Sequence, residues 1–332
     1  MAKKRTFSGI QPSGTLHIGN YFGALKQWVA HQEQYDCVYA LVDYHALTTL
    51  KNPQQLREFT REATLDLLGV GIDPVRSILF KQSDVPQHTE LAWIFECLVT
   101  VPFLMQAHAY KDKVAKGLEA NAGLFNYPML MAADILLYDT DVVPVGADQR
   151  QHVEYAREAA TKFNKAFGDT FKEPKEVIME SVGAVPGTDG QKMSKSYGNT
   201  IPLFGTKDEI AKAVMKIVTN TTPEEEIQNL AATGIQSGSF LLPINLFRIH
   251  NLLKSKDELF YLYQKNLNNY KAIKEALIED LEAFVAPMRG RRDTYAKNPD
   301  EVKRILAEGS EKARTIAEAK MKDVRKKVGV TL

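Results

Sequence analysis

Cysteine is scarce in this chain: Cys37 and Cys97 are the two present among 332 residues. Each lies in an apolar run, so both are expected to be buried free thiols of a cytoplasmic protein. Two cysteines exclude a disulfide scaffold. They also fall short of the clustered ligands that a zinc or iron–sulfur site requires, so no protein metal site is expected. No apolar run reaches about 18 residues, so no membrane-spanning helix is expected. The opening MAKKRTFSGI carries basic residues without an apolar stretch behind them, unlike a secretory leader. Internal repeats and low-complexity tracts are absent as well. A net charge of +1 gives no global sign of a polyanion partner.

What charge there is lies unevenly. From Ala286 to Leu332, thirteen lysines and arginines face seven acids, which leaves residues 1–285 net acidic. A basic end admits a polyanion partner, and a solvated helix face explains it equally well. Hydrophobic residues make up 44% and charged residues 25%, the balance of an ordinary globular chain long enough for two domains.

Short, branched, apolar runs alternate with helical patterns in the first part. Residues 5–10, 37–44, 77–83, 141–146 and 176–180 read as strands. Helical stretches fall at 20–34, 53–69, 88–99, 127–138 and 149–164. That alternation predicts an α/β fold with a parallel sheet covered on both faces, binding ligands beyond the carboxyl ends of its strands. After about residue 200 strands give way to helices at 207–219, 223–231, 240–254, 256–265, 269–285 and 298–328. The expected organisation is an α/β domain over 1–200 and a helical domain over 201–332. The last helix repeats Val302, Ile305, Leu306, Ala313, Ile316 and Ala317 at helical spacing, so it should pack back on the body.

Three segments carry chemistry. The first strand runs into GIQPSGTLHIGN, where glycines and Pro12-Ser13-Gly14 shape a turn and Asn20 is placed to cap a helix. Strand, glycine loop and helix start present free N–H groups to a phosphate. His17 reads as a surface loop histidine or as a phosphate donor. The second segment, GQKMSKSYGN, puts Lys192 and Lys195 between Gly190 and Gly198, in a backbone expected to be mobile. Two such lysines suit a loop that closes on a triphosphate and steadies departing pyrophosphate; a solvated loop is the plainer account. In the third, NYPMLMAADILLYDTDVVPVGADQRQH, Pro128 suits a first helical turn. Tyr127, Met131, Asp134 and Tyr138 then share one helix face. Asp134 among apolar neighbours reads as a buried carboxylate needing a partner, with solvent exposure as the alternative. His45, in VDYHAL, belongs to the same rim.

HIGN at 17–20 and KMSKS at 192–196 resemble the paired signatures of class I aminoacyl-tRNA synthetases, in order and separation. The intervening MAADILL is similar to the tryptophan branch of that class. The resemblance covers residues 5–205 well and the helical remainder in layout. It implies a Rossmann-like catalytic domain with a C-terminal helical anticodon-binding domain. It implies that Gln11, Pro12, Ser13, Gly19, Asn20, Gly146, Ala147, Asp148 and Val185 bind ATP. The KMSKS residues Lys192, Met193, Ser194, Lys195 and Ser196 join them. His17, Lys192 and Lys195 are then catalytic. Asn20 stands where many class I enzymes have a second histidine, which shifts more of the phosphate contact to His17 and the lysines. Asp134 would accept the indole N–H of L-tryptophan, in a site shaped by Phe7, Gly9, His45, Tyr127, Met131, Val145 and Gln149.

The reaction so implied joins tryptophan to ATP with Mg²⁺, releases diphosphate, and passes the aminoacyl group to tRNA(Trp). A homodimer is implied, with the apolar run 90–104 as interface or as internal core helix. Some members hold a four-cysteine iron–sulfur site, which two cysteines cannot form. Arg289, Arg291 and Arg292 read either as tRNA backbone contacts or as inter-domain ion pairs. Competing readings are a tyrosine-specific enzyme, a small-molecule nucleotidylyltransferase, and a non-catalytic paralogue that senses tryptophan or binds tRNA.

Overall fold

Among the described residues, five strands fall almost where the branched apolar runs place them: β1 Arg5–Ile10, β2 Asp36–Leu41, β3 Ser77–Lys81, β4 Val142–Val145 and β5 Lys175–Ile178. A computed structural model describes residues 3–146, 150–178, 185–219, 243–266 and 269–331. Among the described residues these strands pair in parallel, in the order β3-β2-β1-β4-β5. The chain therefore steps from β1 one way to β3 and then returns to the other side of β1. The switch point lies between β1 and β4, where doubly wound sheets open a ligand crevice. β1 and β2 stay in register from Arg5↔Asp36 to Ile10↔Leu41, whereas β1 meets β4 at Thr6↔Val142.

By its internal contacts the chain divides into two compact units. The first comprises Met1–Gly14, Gln27–Ser181 and Arg292–Leu332; the second comprises Thr15–Lys26 and Val182–Arg291. A single boundary near residue 200 differs from this division in two places. The HIGN turn groups with the later residues, and the last helix groups with the sheet.

The labelled helices of the first unit are α1 Lys26–Gln34, which enters it at Gln27, α2 Pro53–Val70, α3 Gln87–Glu96, α4 His108–Ala115, α5 Ala122–Leu136 and α6 Arg150–Phe167. α2 starts at Asn52, whose side chain accepts from the N–H groups of Gln54 and Gln55, and stops at Gly71 with φ 111°. α4 has no buried residue, so it carried no amphipathic signal in the sequence. The run 90–104 is broken: α3 ends at Glu96 and a short turn resumes at Val101–Leu104. Leu91 and Phe95 of α3 enter the core while Trp93 is 67% exposed. Cys37 is buried, but Cys97, at the end of α3, is exposed rather than buried as its apolar neighbours suggested.

The later helices are α7 Lys207–Met215, α8 Ile244–His250, α9 Lys256–Lys265, α10 Tyr270–Ala296 and α11 Pro299–Val328. The expected helix 223–231 lies outside the described residues. α10 continues through Pro287, so the expected stop near 285 is absent. α11 does pack back, against β3 and α3 of its own unit. It buries Val302, Ile305, Ala313, Ala317 and Met321. Gly309 makes that approach possible, since a Cβ there would overlap the Leu79 backbone. Arg325 clamps the helix through Glu90 and Glu318.

In the second unit, the ring of Phe284 meets Tyr21 and Phe22 at 5.3 Å and 5.4 Å. Arg289 makes a bidentate ion pair with Glu282 and donates to the Gly205 carbonyl. Arg292 belongs to the first unit and pairs with Asp66 and Glu62 there. Both arginines are thus engaged within their own units.

Candidate active site

The first unit buries a carboxylate. α5 begins at Asn121, whose side chain accepts from the Leu124 N–H, so Pro128 stands inside the helix and not in its first turn. Asp134 is 1% exposed. Its Oδ1 accepts from Gln82 Nε2 at 2.7 Å and lies 2.6 Å from His88 Nδ1. Its Oδ2 lies 2.9 Å from His45 Nε2. Burial by itself pushes this carboxyl up, but His88 and His45 hold it well below the usual carboxylate range. It is therefore an ionised acceptor at neutral pH. Tyr138, whose hydroxyl lies 2.8 Å from His88 Nε2, has its phenol pushed up by burial and by the Asp134 charge.

Two cavities adjoin this network. One of about 860 Å³ is lined by Gln11, Ser13, His45, Thr48, Tyr127 and His152 among others. The second, of about 570 Å³, shares His45, Thr48 and Tyr127. His45 sits on a short helical turn, Asp43–Ala46, because β2 ends at Leu41 instead of continuing to residue 44. Asp43 fixes that turn by accepting from the Ser83 N–H and hydroxyl. Tyr127 meets the His45 ring edge-on at 6.3 Å, and its hydroxyl lies 3.2 Å from His152 Nε2. Phe7 and Val145 are buried beneath, with Phe7 stacked on Tyr138. Met131 is half-buried against the same core. A Cβ at Gly9 would fall 2.8 Å from Val42. Ala147, Asp148 and Gln149 lie outside the described residues; Gly146 precedes them at the end of β4.

The second unit brings the two sequence signatures into contact. His17 bridges Pro202, Ile18 N–H donates to Ile201 O at 3.0 Å, and Leu203 N–H donates to Leu16 O. The first turn starts at His17 and not at Asn20, which sits three residues in and accepts from the His17 N–H at 3.0 Å. A Cβ on Gly19 would lie 2.9 Å from His17 Nδ1 and 3.3 Å from Met193 Cβ. His17 is no surface histidine: it is 7% exposed, and its Nδ1 has no partner among the described residues. Burial first, and then the Lys195 charge, lower its pKa to about 4. At neutral pH it is an uncharged ring able to donate one N–H.

The lysine loop is more tied down than its glycines alone suggested. Asn199 is buried and accepts from the Ser194 N–H at 2.8 Å. It donates to Asp189 and to the Lys192 carbonyl. Gly190 and Gly198 adopt φ 85° and 65°, where side chains are strained. Met193 is buried, and its N–H donates to the Val185 carbonyl. Lys192 and Lys195 are exposed, and Ser194 Oγ lies 2.9 Å from Ser196 Oγ.

Sequence reasoning missed His88, Gln82 and Asn199. The signal for the first two was a cluster of polar residues directly after a strand, QSDVPQH at 82–88.

A sequence profile of the tRNA synthetases class I (W and Y) matches residues 2–286. The tryptophan--tRNA ligase of Fusobacterium nucleatum is 47% identical, over 98% of this chain and 98% of its own. That of Rhodopirellula baltica is 44% identical, over 98% and 99%. A crystal structure of tryptophanyl-tRNA synthetase from Campylobacter jejuni, complexed with ADP and tryptophan, shares the fold with a TM-score of 0.87. It has 40% identity and coverage of 98% and 99%.

Proposed function

The chain belongs to the class I tRNA synthetases of the tryptophan and tyrosine group, and from that premise we infer that it charges tRNA(Trp) with L-tryptophan. A carboxylate oxygen of tryptophan attacks the α-phosphorus of ATP. The bond from that phosphorus to the β-bridging oxygen breaks, and diphosphate leaves. A terminal ribose hydroxyl of the tRNA then attacks the adenylate's carbonyl carbon, and AMP departs. Neither step needs a protein nucleophile, so positioning and charge stabilisation carry the rate.

Asp134 carries the reading. A buried, ionised carboxylate beside a cavity selects a ligand that offers it an N–H. An amino acid without one leaves the acceptor unmet, which is worth about 10⁴–10⁵ in discrimination. Tyr127 and His45 flank the amino acid, and Gln149 completes its polar end. Phe7, Gly9, Met131 and Val145 back the pocket. Gln11, Pro12, Ser13, Gly146, Ala147, Asp148 and Val185 serve the nucleotide. His17, buried and neutral, donates to phosphate over the Gly19–Asn20 turn. Lys192 and Lys195, flanked by Met193, Ser194 and Ser196, meet the β- and γ-phosphates. Mg²⁺ arrives on ATP, held by phosphate oxygens and water.

The helices after residue 200 read the tRNA, and a cytoplasmic place follows from that partner. A second copy covers the exposed apolar side chains Trp93, Val101 and Met105, which are 67%, 61% and 48% accessible. The test is amino-acid-dependent ATP–pyrophosphate exchange with all twenty amino acids. Tryptophan alone should support it. Exchange driven by tyrosine would replace this reading with the tyrosine-specific one, and silence with all twenty would remove the activity.

A further inference from the structure

We infer that His88 is the positioning residue that decides which oxygen of Asp134 receives the amino acid. With Gln82 it fills Oδ1 and reserves the remaining acceptor site on Oδ2 for the indole N–H. The inference rests on the reading of Asp134 as the indole's acceptor and specifies how that acceptor is held.

An ionised carboxylate offers about four acceptor sites, two on each oxygen. Oδ1 takes Gln82 Nε2 at 2.7 Å and His88 Nδ1 at 2.6 Å. Oδ2 takes His45 Nε2 at 2.9 Å. One site on Oδ2 remains, and His45, which shares that oxygen, lines both cavities. The three donors come from separate parts of the first unit: the residues after β3, the second residue of α3, and the turn after β2.

His88 is suited to fix this arrangement. Its side chain is fully buried, so its ring reaches nothing in solvent. Asp134, as an ionised acceptor, requires Nδ1 to carry a proton. On the other side of the ring, Nε2 lies 2.8 Å from the Tyr138 hydroxyl. Phe80 stacks on the imidazole at 5.8 Å, and Tyr138 is itself stacked on Phe7 at 5.7 Å. Ring orientation is thus set by packed neighbours, as for histidines that hold catalytic or metal-bound groups through a second hydrogen bond. Without His88, Oδ1 keeps a vacant site, and the carboxylate can rotate to present either oxygen.

A merely structural histidine would tie α3 to α5 with no consequence for amino-acid choice. The discriminating probe is β-(3-benzothienyl)alanine, which has sulfur where tryptophan has the indole N–H. ATP–pyrophosphate exchange is measured with both amino acids on the full chain and on His88→Leu, His88→Asn, Tyr138→Phe and Asp134→Ala. His88→Leu should raise the tryptophan KM at least about thirtyfold, leave the ATP KM within about threefold, and cut the preference for tryptophan over the thienyl analogue at least about tenfold. His88→Asn, whose amide nitrogen takes the place of Nδ1, should keep that preference within about threefold. Tyr138→Phe removes a single hydroxyl from a retained ring and should lower the preference by about threefold to tenfold, which keeps the test decisive if His88→Leu does not fold.

An unchanged preference in His88→Leu, or in Tyr138→Phe where His88→Leu is unfolded, overturns the inference. Loss in His88→Asn equal to that in His88→Leu does the same. If Asp134→Ala retains the preference, the reading of Asp134 fails first and takes this inference with it, which separates the two failures.

Discussion

Gly19 lies so close to His17 that a single methyl group would strike the imidazole: a Cβ there would stand 2.9 Å from His17 Nδ1 and 3.3 Å from Met193 Cβ. The third residue of the first signature is a glycine because its neighbours leave no room, and both neighbours belong to the signatures themselves. Gly19→Ala must displace the ring or push back the lysine loop. Pyrophosphate exchange should fall at least about tenfold through kcat or the ATP KM. The tryptophan dissociation constant, read by intrinsic fluorescence, should stay within about threefold. Undiminished exchange would mean that His17 has no part in handling ATP.

His17 should titrate far below an ordinary histidine. Its pKa is lowered from 6.5 to about 4, by burial and then by Lys195. Between those values the folded chain binds fewer protons at this position than the unfolded chain. Stability from His17 is therefore complete above 6.5 and declines as pH falls through the window toward 4. Imidazole nitrogen shifts in a pH series of two-dimensional NMR spectra should show the ring neutral at pH 5.5 and above; a midpoint near 6.5 would contradict this.

Removing the Lys195 charge links the two signatures in one measurement. Lys195→Ala should slow adenylate formation at least about tenfold in single-turnover assays, with tryptophan affinity unchanged. In the same variant the His17 midpoint should move up, because one of the two causes of its depression is gone. A large loss of tryptophan binding would assign the loop a different role.

The approach of α11 to β3 depends on the absence of a side chain at Gly309. Gly309→Ala gains helix propensity but forces a methyl group into the Leu79 backbone, and the clash dominates. Chemical denaturation should show a loss of about 3 kcal/mol. A gain in stability would mean that the helix shifts freely along the sheet.

Much of the architecture was legible from local pattern. The strands at 5–10 and 77–81 and the helices at 53–70, 256–265 and 299–328 announce themselves through branched apolar runs, Asn52-Pro53, the capping box Ser255–Glu258 and Asn298-Pro299. Boundaries slipped where a distant side chain set them. Residues 42–44 leave the strand because Asp43 turns to Ser83, forty positions on. Cys97 is exposed because α3 ends beside it, although its neighbours in sequence are apolar.

By itself the order of residues determined a parallel sheet, a carboxylate among apolar neighbours, and the two signatures of the class I synthetases. These depend on periodicity, turn chemistry and charge type, which act over a few residues and can be read along the line. Tertiary structure alone decided that Asp134 would be ionised, with His88 and Gln82 on one oxygen and His45 on the other. It also decided that His17 would be buried and neutral against the lysine loop. Protonation and hydrogen-bond occupancy are properties of what surrounds a group, and those surroundings come from segments tens to nearly two hundred residues away.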